Sequence, residues 1–232
     1  MNLAGKFIVF DGPDGAGKGA QLDRLERRIT AAGGRCCRAR DPGGTAIGER
    51  VRHLLLDFDL NEMAPRCEAM LFMASRAQLL HEVIRPALQR GETVLCDRFI
   101  SSTCAYQVAS GTPRELVIRL GALAVDDNWP DLTVVLDVPP EVGFARTGRD
   151  PRHVGRNARR GDAAHVAGQK SMFDGAAPDA IERRPLEYHR RVRSLYLELP
   201  DVYPAPVVVL DASREAEAVF SDIERELARR FG

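Results

Sequence analysis

A glycine-rich segment near the start of the chain carries groups that bind phosphate. It directly follows the apolar residues 7–10 and precedes a predicted helix. Glycines let successive backbone N–H groups approach phosphate oxygens closely, and a helix N-terminus adds positive charge. This context matches the Walker A pattern better than an ordinary turn between strand and helix. The residues predicted to bind a nucleoside triphosphate are Gly12, Pro13, Asp14, Gly15, Ala16, Gly17, Lys18 and Gly19.

A second pair of charged residues ends a later strand-like segment. Residues 93–96 lead directly to Asp97 and Arg98. A buried strand that ends in Asp is typical of the Walker B arrangement, which places a carboxylate beside magnesium. The next side chain then lies at the carboxyl end of the sheet, where open α/β sheets bind ligands, and a guanidinium fork suits a phosphate. Taken alone, the motif also fits a surface Asp–Arg pair.

The Walker A pattern lacks the hydroxyl that normally contacts magnesium. The Ser or Thr expected after Lys18 is Gly19, and Ala20 follows it. Magnesium commonly keeps several waters, so phosphate oxygens, waters, Asp97 and Asp14 remain available as ligands. We therefore expect weaker or slower turnover rather than loss of activity.

A third candidate group lies on a predicted long helix. Phe72 and Arg76 are four residues apart, so they share one face. An aromatic ring and an arginine on one face can stack a base and hold its carbonyl. Spacing alone favours the simpler interpretation, in which Phe72 packs in the core and Arg76 is solvated. The core stripe predicted for this helix consists of Met73, Ala77, Leu80 and Ile84.

Strand-like and helix-like segments alternate along the chain and must position these groups. The predicted strands are 7–11, 35–40, 93–97, 132–137 and 207–211. The predicted helices are 18–32, 45–56, 63–90, 103–109 with 113–125, 139–146, 181–199 and 214–230. This alternation predicts one α/β domain over residues 1–232, with a parallel sheet covered by helices on both faces. Residues 147–178 have no clear apolar period, which is typical of a lid, a binding loop or disorder.

The composition excludes several classes of protein. Lys plus Arg and Asp plus Glu each number 33, so the chain has no overall basic field of the kind nucleic-acid binders use. No apolar run approaches the ~20 residues of a membrane span, and no signal peptide precedes Phe7. The five cysteines include no C-x-x-C pair, which suits free, buried thiols in a reducing cytoplasm.

Short motifs follow one another in a specific order along nearly the whole chain outside 147–178. They are Phe7–Gln21, Asp41-Pro42-Gly43-Gly44-Thr45 with Ile47-Gly48-Glu49, Phe72 with Arg76 and Gln78, Asp97-Arg98-Phe99 followed by Ala105-Tyr106-Gln107, the segment from Pro130 to Glu141, and Glu187-Tyr188-His189 with Tyr196. In this set and order the chain resembles the thymidylate kinase family, with Asp41 where the family has Glu.

The resemblance implies a P-loop NTPase-type fold with a five-stranded parallel sheet and an Arg-rich lid at about 146–180. It also implies phosphorylation of dTMP by ATP with Mg2+ as cofactor, in a homodimer. Phe72 would stack on thymine, Arg76 would bind its carbonyl, and Arg98 would bind the dTMP phosphate. The residues implied to bind dTMP are Asp14, Arg40, Pro42, Phe72, Arg76, Arg98, Thr103, Tyr106 and Gln107.

The resemblance also assigns catalytic roles. Asp97 and Asp14 would hold magnesium, and Lys18 and Arg98 would act on the phosphates. Residues 146–160 carry six arginines and one acid, and the phosphate loop itself has no arginine. Where the family's phosphate loop lacks an arginine, lid arginines approach the transferring phosphoryl group. Arg146 and Arg149 are therefore the implied arginine fingers, and a solvated basic loop is the alternative.

Two other functions stay open at this stage. The altered Walker A end fits a nucleotide-binding paralogue with weak or no catalysis. The chain also fits a kinase for another pyrimidine deoxynucleotide, because one methyl group distinguishes thymine from uracil and contributes only ~1–3 kcal/mol.

Overall fold

The computed structural model describes residues 1–56, 63–148 and 184–232. Within these residues five strands form one parallel sheet. The strands are β1 (Phe7–Asp11), β2 (Cys36–Arg40), β3 (Thr93–Asp97), β4 (Leu132–Asp137) and β5 (Val207–Asp211). Their order across the sheet is β2-β3-β1-β4-β5. The predicted P-loop NTPase-type α/β fold class is confirmed.

Helices connect the strands and cover the sheet. They are α1 (Lys18–Ala31), α2 (Ala46–Leu56), α3 (Pro65–Leu79), α4 (Arg85–Gln89), α5 (Ile100–Ala109), α6 (Arg114–Val125), α7 (Pro140–Arg146), α8 (Leu186–Val202) and α9 (Ala216–Phe231). The predicted lid lies almost entirely outside the described residues.

The sheet separates two hydrophobic cores, and β1 contributes to both. Phe7 and Val9 belong to one core, whereas Ile8 and Phe10 belong to the other. Successive side chains of a strand point to opposite faces, so a continuously apolar strand requires cover on both sides. Each such side chain contributes about 1.5–3 kcal/mol on burial, which makes β1 the centre of the fold.

The long helical segment predicted over 63–90 is helical but not uniform. A π-helical turn over Leu80–Ile84 joins α3 to α4. Pro86 follows this turn and has no N–H for the α-helical pattern. Ala77 is exposed, contrary to the predicted core stripe, whereas Leu79 is fully buried. The buried face of the helix differs from the predicted core stripe because it includes Arg76 and Leu79 in place of Ala77.

Two smaller predictions are also corrected. Helix α5 begins at Ile100, earlier than predicted, because Ile100 is fully buried against the sheet core. All five cysteines are free thiols, as predicted, but Cys67 is exposed, and Cys36 and Cys37 are only partly buried. The prediction that all five are buried is therefore wrong.

The strand register brings charged residues to one edge of the sheet. Asp97 lies opposite Arg40 of β2 and opposite Phe10 of β1. Asp11 follows Phe10 and ends β1. Because all the strands are parallel, their carboxyl ends meet at the same edge. Residues that are far apart in the sequence therefore surround a single crevice.

Candidate active site

The phosphate loop is a tight turn between β1 and α1 that only glycine allows at several points. Gly15 has a φ of 74° and Gly17 a φ of 86°, which are left-handed values that other residues rarely adopt. A Cβ on Gly15 would lie 2.2 Å from the carbonyl oxygen of Gly143 in α7. The loop is therefore pressed against α7, and its backbone N–H groups precede the N-terminus of α1.

The side chain of Lys18 folds back onto the phosphate loop. Its ammonium donates to the carbonyl oxygens of Gly12 and Pro13, both at 3.0 Å. Burial lowers the pKa of Lys18 below its ordinary value, and the nearby charge of Arg98 lowers it further. The nearby carboxylates of Asp97, Asp14 and Asp11 act in the opposite direction, and a phosphate close to this ammonium would favour its charged form further.

Arg98 connects the end of β3 to the phosphate loop. Its backbone has a positive φ of 65°, an uncommon conformation for a non-glycine residue. The guanidinium donates to the Asp14 carboxylate at 2.5 Å and to the Gly12 carbonyl at 3.2 Å. It also lies over the ring of Tyr106, 5.2 Å from its centroid. Arg98 is thus held in one orientation beside the loop.

Asp11 is a buried carboxylate that the sequence analysis missed. It accepts hydrogen bonds from the hydroxyls of Ser101 at 2.5 Å, Ser102 at 2.7 Å and Tyr196 at 2.6 Å, and from the N–H of Gly12 at 2.9 Å. Arg98 lies 3.6 Å away. Asp11 therefore fixes the first residue of the loop. Asp11 ends a buried strand, as Asp97 does, and this position in the sequence could have identified it as a site residue.

Asp97 carries a carboxylate oxygen suited to a cation. Its Oδ1 atom is buried and accepts no hydrogen bond from the described residues. A buried carboxylate oxygen is costly unless a hydrogen bond or a cation compensates it. Among the described residues no cluster of three or more His, Cys, Asp or Glu side chains could hold a metal. The single unpartnered carboxylate oxygen of Asp97 fits magnesium, which is usually held by one or two carboxylates together with phosphates and waters.

A cavity of about 170 Å³ opens on one side of the phosphate loop. Its lining consists of Asp14, Asp41, Pro42, Arg52, Leu56, Phe72, Arg76, Arg98, Ser102, Tyr106 and Gln107. This acceptor cavity brings together most of the residues that the resemblance implied for dTMP. Arg40 and Thr103 are not in its lining: Arg40 donates to Glu49 at 2.9 Å, and Thr103 lies behind Arg76.

Arg76 is one of the largest fully buried side chains of the described chain. Its Nε and Nη2 atoms both donate to the Asp41 carboxylate, and Nη2 also donates to the Phe99 carbonyl at 2.9 Å. Its Nη1 atom has weaker partners, the sulfur of Met73 at 3.1 Å and the hydroxyl of Thr103 at 3.4 Å. The interpretation of Arg76 as a solvated residue is wrong, because the helix face that it occupies is covered.

Tyr106 presents a neutral phenol to the acceptor cavity. Burial raises its pKa well above the ordinary value, so the hydroxyl remains protonated. This hydroxyl is buried and has no hydrogen-bond partner among the described residues. Phe72, on the opposite helix α3, is also buried, and its ring belongs to the core as well as to the lining.

A larger cavity, of about 510 Å³, opens on the other side of the loop. Its lining consists of Gly15, Ala16, Gly17, Ala20, Gln21, Arg146, Thr147, Ala212, Ser213, Arg214, Glu215, Ala216 and Val219. The wall formed by 212–219 was missed, although it directly follows the carboxyl end of β5. We call this space the donor cavity.

Arg146 belongs to the donor cavity. Its guanidinium donates to the carbonyls of Ala212 at 2.8 Å, Ser213 at 3.0 Å and Gly15 at 3.4 Å. Its predicted contact with the transferring phosphoryl group stays a prediction. Arg149 lies outside the described residues.

Two cavities share one phosphate loop, with a strand-end aspartate beside it. In a parallel five-stranded sheet this arrangement defines a P-loop phosphotransferase. A thymidylate kinase family model matches residues 10–160. The chain belongs to the thymidylate kinase family of phosphotransferases.

Individual relatives agree along the whole chain. It is 41% identical to the thymidylate kinase of Deinococcus radiodurans over 227 residues, which cover 97% of this chain and 98% of the relative. It is 38% identical to that of Nitratidesulfovibrio vulgaris, with 94% of both chains covered. A crystal structure of thymidylate kinase from Ehrlichia chaffeensis superposes with a TM-score of 0.69 at 26% identity, covering 96% of this chain and 98% of that one.

Proposed function

We propose that the chain transfers the γ-phosphoryl group of ATP to dTMP and forms dTDP, a step toward dTTP synthesis. The observation that carries this proposal is the pair of cavities on either side of one phosphate loop. Asp14 lines the acceptor cavity and Gly15 lines the donor cavity. Neighbouring residues of one loop therefore contact both substrates, which brings the reacting phosphates together.

The donor side suits ATP. The N–H groups of the loop and the N-terminus of α1 bind the phosphates, and Lys18 exchanges its two carbonyl partners for the β- and γ-phosphates. The donor cavity then receives the nucleoside, with Arg146 and residues 212–219 as its wall. Arg146 is already oriented by three backbone carbonyls, so little side-chain entropy is lost when a ligand binds.

The acceptor side suits dTMP. Phe72 stacks on the thymine ring, and the Nη1 atom of Arg76, whose present partners are weak, donates to a thymine carbonyl. Arg98 binds the dTMP phosphate, which lies beside Asp14 and the phosphate loop. The phenol of Tyr106 lies against the sugar. Arg40 and Thr103 lie just outside the lining of the acceptor cavity. Thr103 contributes to dTMP binding through its contact with Arg76.

Catalysis follows from position and charge. A phosphate oxygen of dTMP attacks the γ-phosphorus in line, and the reaction needs no covalent help from the protein. Lys18 and Arg98 neutralise charge on the two phosphates, while Asp14 holds Arg98 in place. Asp97, through its unpartnered Oδ1, and Asp14 would hold magnesium. Held there, magnesium would supply positive charge that offsets the negative charge of the phosphates.

The assembly and the compartment belong to the same proposal. The exposed large apolar side chains include Met70 on α3 and Leu123 on α6, at 49% and 79% exposure. The two helices pack against each other, so these side chains support a homodimer built on this side of the molecule. None of the helices in the described part of the chain is long and apolar enough to cross a membrane. Five free thiols suit the reducing cytoplasm.

Direct product analysis tests the proposal. The purified protein is incubated with ATP, dTMP and Mg2+, and ADP and dTDP are separated by ion-exchange chromatography. We expect equal amounts of the two products, and none when dTMP is omitted. Folded protein that binds both nucleotides without forming product would support the paralogue instead. A panel of dTMP, dUMP and dCMP at equal concentration tests the alternative of another pyrimidine substrate.

A further inference from the structure

Glu68 of α3 is a buried carboxylate next to the acceptor cavity. Glu68 is only 2% exposed and does not belong to the cavity lining. It accepts a hydrogen bond at 3.0 Å from the side-chain amide nitrogen of Gln107, which does line the cavity. A charged side chain this deeply buried requires a cation or several hydrogen bonds.

Arg184 supplies that cation. Its guanidinium lies 3.3 Å and 3.4 Å from the two oxygens of Glu68. It is held there by the hydroxyl of Ser110, by that of Tyr188 at 2.7 Å, and by stacking on the Tyr188 ring at 4.7 Å. Tyr188 in turn donates to the backbone carbonyl of Tyr106 at 2.8 Å. Arg184 therefore ties three helices together at the back of the cavity.

This arrangement fixes the orientation of the Gln107 side-chain amide. A salt-bridged carboxylate accepts hydrogen bonds and donates none. Gln107 must therefore turn its NH2 group toward Glu68, which turns its carbonyl oxygen away from Glu68. Gln107 and Arg76 line the same cavity, and the Nη1 atom of Arg76 is the donor there with only weak partners.

We propose that Glu68 and Arg184 are positioning residues that select a pyrimidine carrying an N–H at position 3, by fixing Gln107 as a hydrogen-bond acceptor. Thymine and uracil present a carbonyl beside an N3–H, which matches a donor from Arg76 beside an acceptor from Gln107. Cytosine presents an amino group beside an unprotonated N3 and mismatches both. The inference rests on the proposed function, because it concerns the same acceptor cavity.

The test variant is Glu68→Gln, which keeps the shape of the side chain. Arg184 then binds the new amide oxygen, and the new NH2 group faces Gln107 and reverses the Gln107 amide. The kcat/KM values for dTMP, dUMP and dCMP are measured for each variant. We expect the dTMP to dCMP ratio to fall by about tenfold or more, which corresponds to one hydrogen bond. The dTMP to dUMP ratio should stay within about twofold, because both bases carry the same N3–H.

A matched control and a second variant separate this effect from structural damage. Glu198→Gln removes a salt-bridged carboxylate of α8, partner of Arg114, outside both cavities, and should leave both ratios unchanged. Gln107→Met leaves Glu68 paired with Arg184 and should lower the dTMP to dCMP ratio even if Glu68→Gln fails to fold.

An unchanged dTMP to dCMP ratio in folded Glu68→Gln, or in Gln107→Met, would overturn the inference. Equal losses for all three substrates would overturn it too, because they indicate a general structural role. An unmodified protein that phosphorylates none of the three would refute the proposed function itself, which is a distinct outcome.

Discussion

The guanidinium of Arg98 donates to the carboxylate of Asp14 at 2.5 Å. The two residues are separated by 84 positions, one at the end of β3 and the other in the phosphate loop. Their contact joins the end of β3, which lines the acceptor cavity, to the phosphate loop. In a kinase of this kind the relative placement of the two phosphates decides the rate, so this pair is the first one to perturb.

Replacing Arg98 with lysine should raise the KM for dTMP by about tenfold or more. A single ammonium cannot contact Asp14, the Gly12 carbonyl and a phosphate together in the manner of a planar fork. Steady-state kinetics with dTMP varied at saturating ATP measure the effect. Arg193→Lys is the matched control, since Arg193 makes a two-point contact with Asp137 at 2.8 Å outside both cavities. A KM within twofold of the unmodified value would argue against the phosphate role.

Replacing Asp97 with asparagine should raise the Mg2+ concentration needed for half-maximal rate several-fold. The substitution removes the charge of a partly buried carboxylate whose buried Oδ1 has no hydrogen-bond partner in the described chain, and an amide is a weaker magnesium ligand. Calorimetry of dTMP binding without metal provides the control and should change by less than about twofold. The assignment of Asp97 fails if the magnesium dependence is unaltered.

Restoring the missing Walker A hydroxyl by Gly19→Ser should speed turnover at limiting Mg2+. A Cβ at Gly19 would meet no atom within 4 Å, so the side chain fits. Gly19→Ala is the matched control: it gains up to about 1 kcal/mol of helix propensity without adding a ligand. Rates at limiting and at saturating Mg2+ distinguish the two. Identical rates for the Ser and Ala variants would show that this hydroxyl has no part in the reaction of this chain.

Gly15→Ala should lower ATP affinity by more than tenfold and also lower the melting temperature. The added Cβ combines a strained positive φ, which costs on the order of 1–3 kcal/mol, with a 2.2 Å approach to the Gly143 carbonyl. Gly17→Ala is the comparison, since its φ of 86° brings similar strain but its Cβ meets nothing within 4 Å. Equal effects in the two variants would mean that contact with α7 does not shape the loop.

Arg184→Met should destabilise the fold by about 1–3 kcal/mol, the cost of leaving a buried group without its partner, because Glu68 stays buried without its cation. Adding Glu68→Gln to that variant removes the unpaired charge and should recover part of the loss. Urea denaturation of the four proteins completes a double-mutant cycle. Additive effects of the two substitutions would indicate that the salt bridge does not stabilise the back of the cavity.

Local patterns predicted the framework well. All five strands lie where strand-like segments were predicted, within one residue, and the apolar residues Leu22, Leu25 and Ile29 of the predicted first helix are buried. Strand residues and helix faces follow from periods of two and 3.6 residues, which are properties of contiguous sequence. The phosphate loop is recognisable for the same reason, because its function depends on consecutive backbone groups.

Long-range contacts were not predictable in this way. The Asp11 carboxylate binds Tyr196 across 185 positions, and Glu68 binds Arg184 across 116. Arg76 was misinterpreted because helical spacing tells which residues share a face, but not what covers that face. Ala77 was assigned to the core for the same reason.

Residue patterns alone predicted an alternating α/β chain with a phosphate loop, an aspartate at the end of a strand and the motifs of one kinase family. Three contacts became known from the folded chain. Asp11 accepts the N–H of the first loop residue, Arg76 pairs with Asp41 and the Phe99 carbonyl except at Nη1, and Gln107 donates its amide to a buried carboxylate. Hydrogen-bond direction and burial depend on neighbours that the sheet register and the helix packing bring together. The spacing of residues along the chain does not show which neighbours these are.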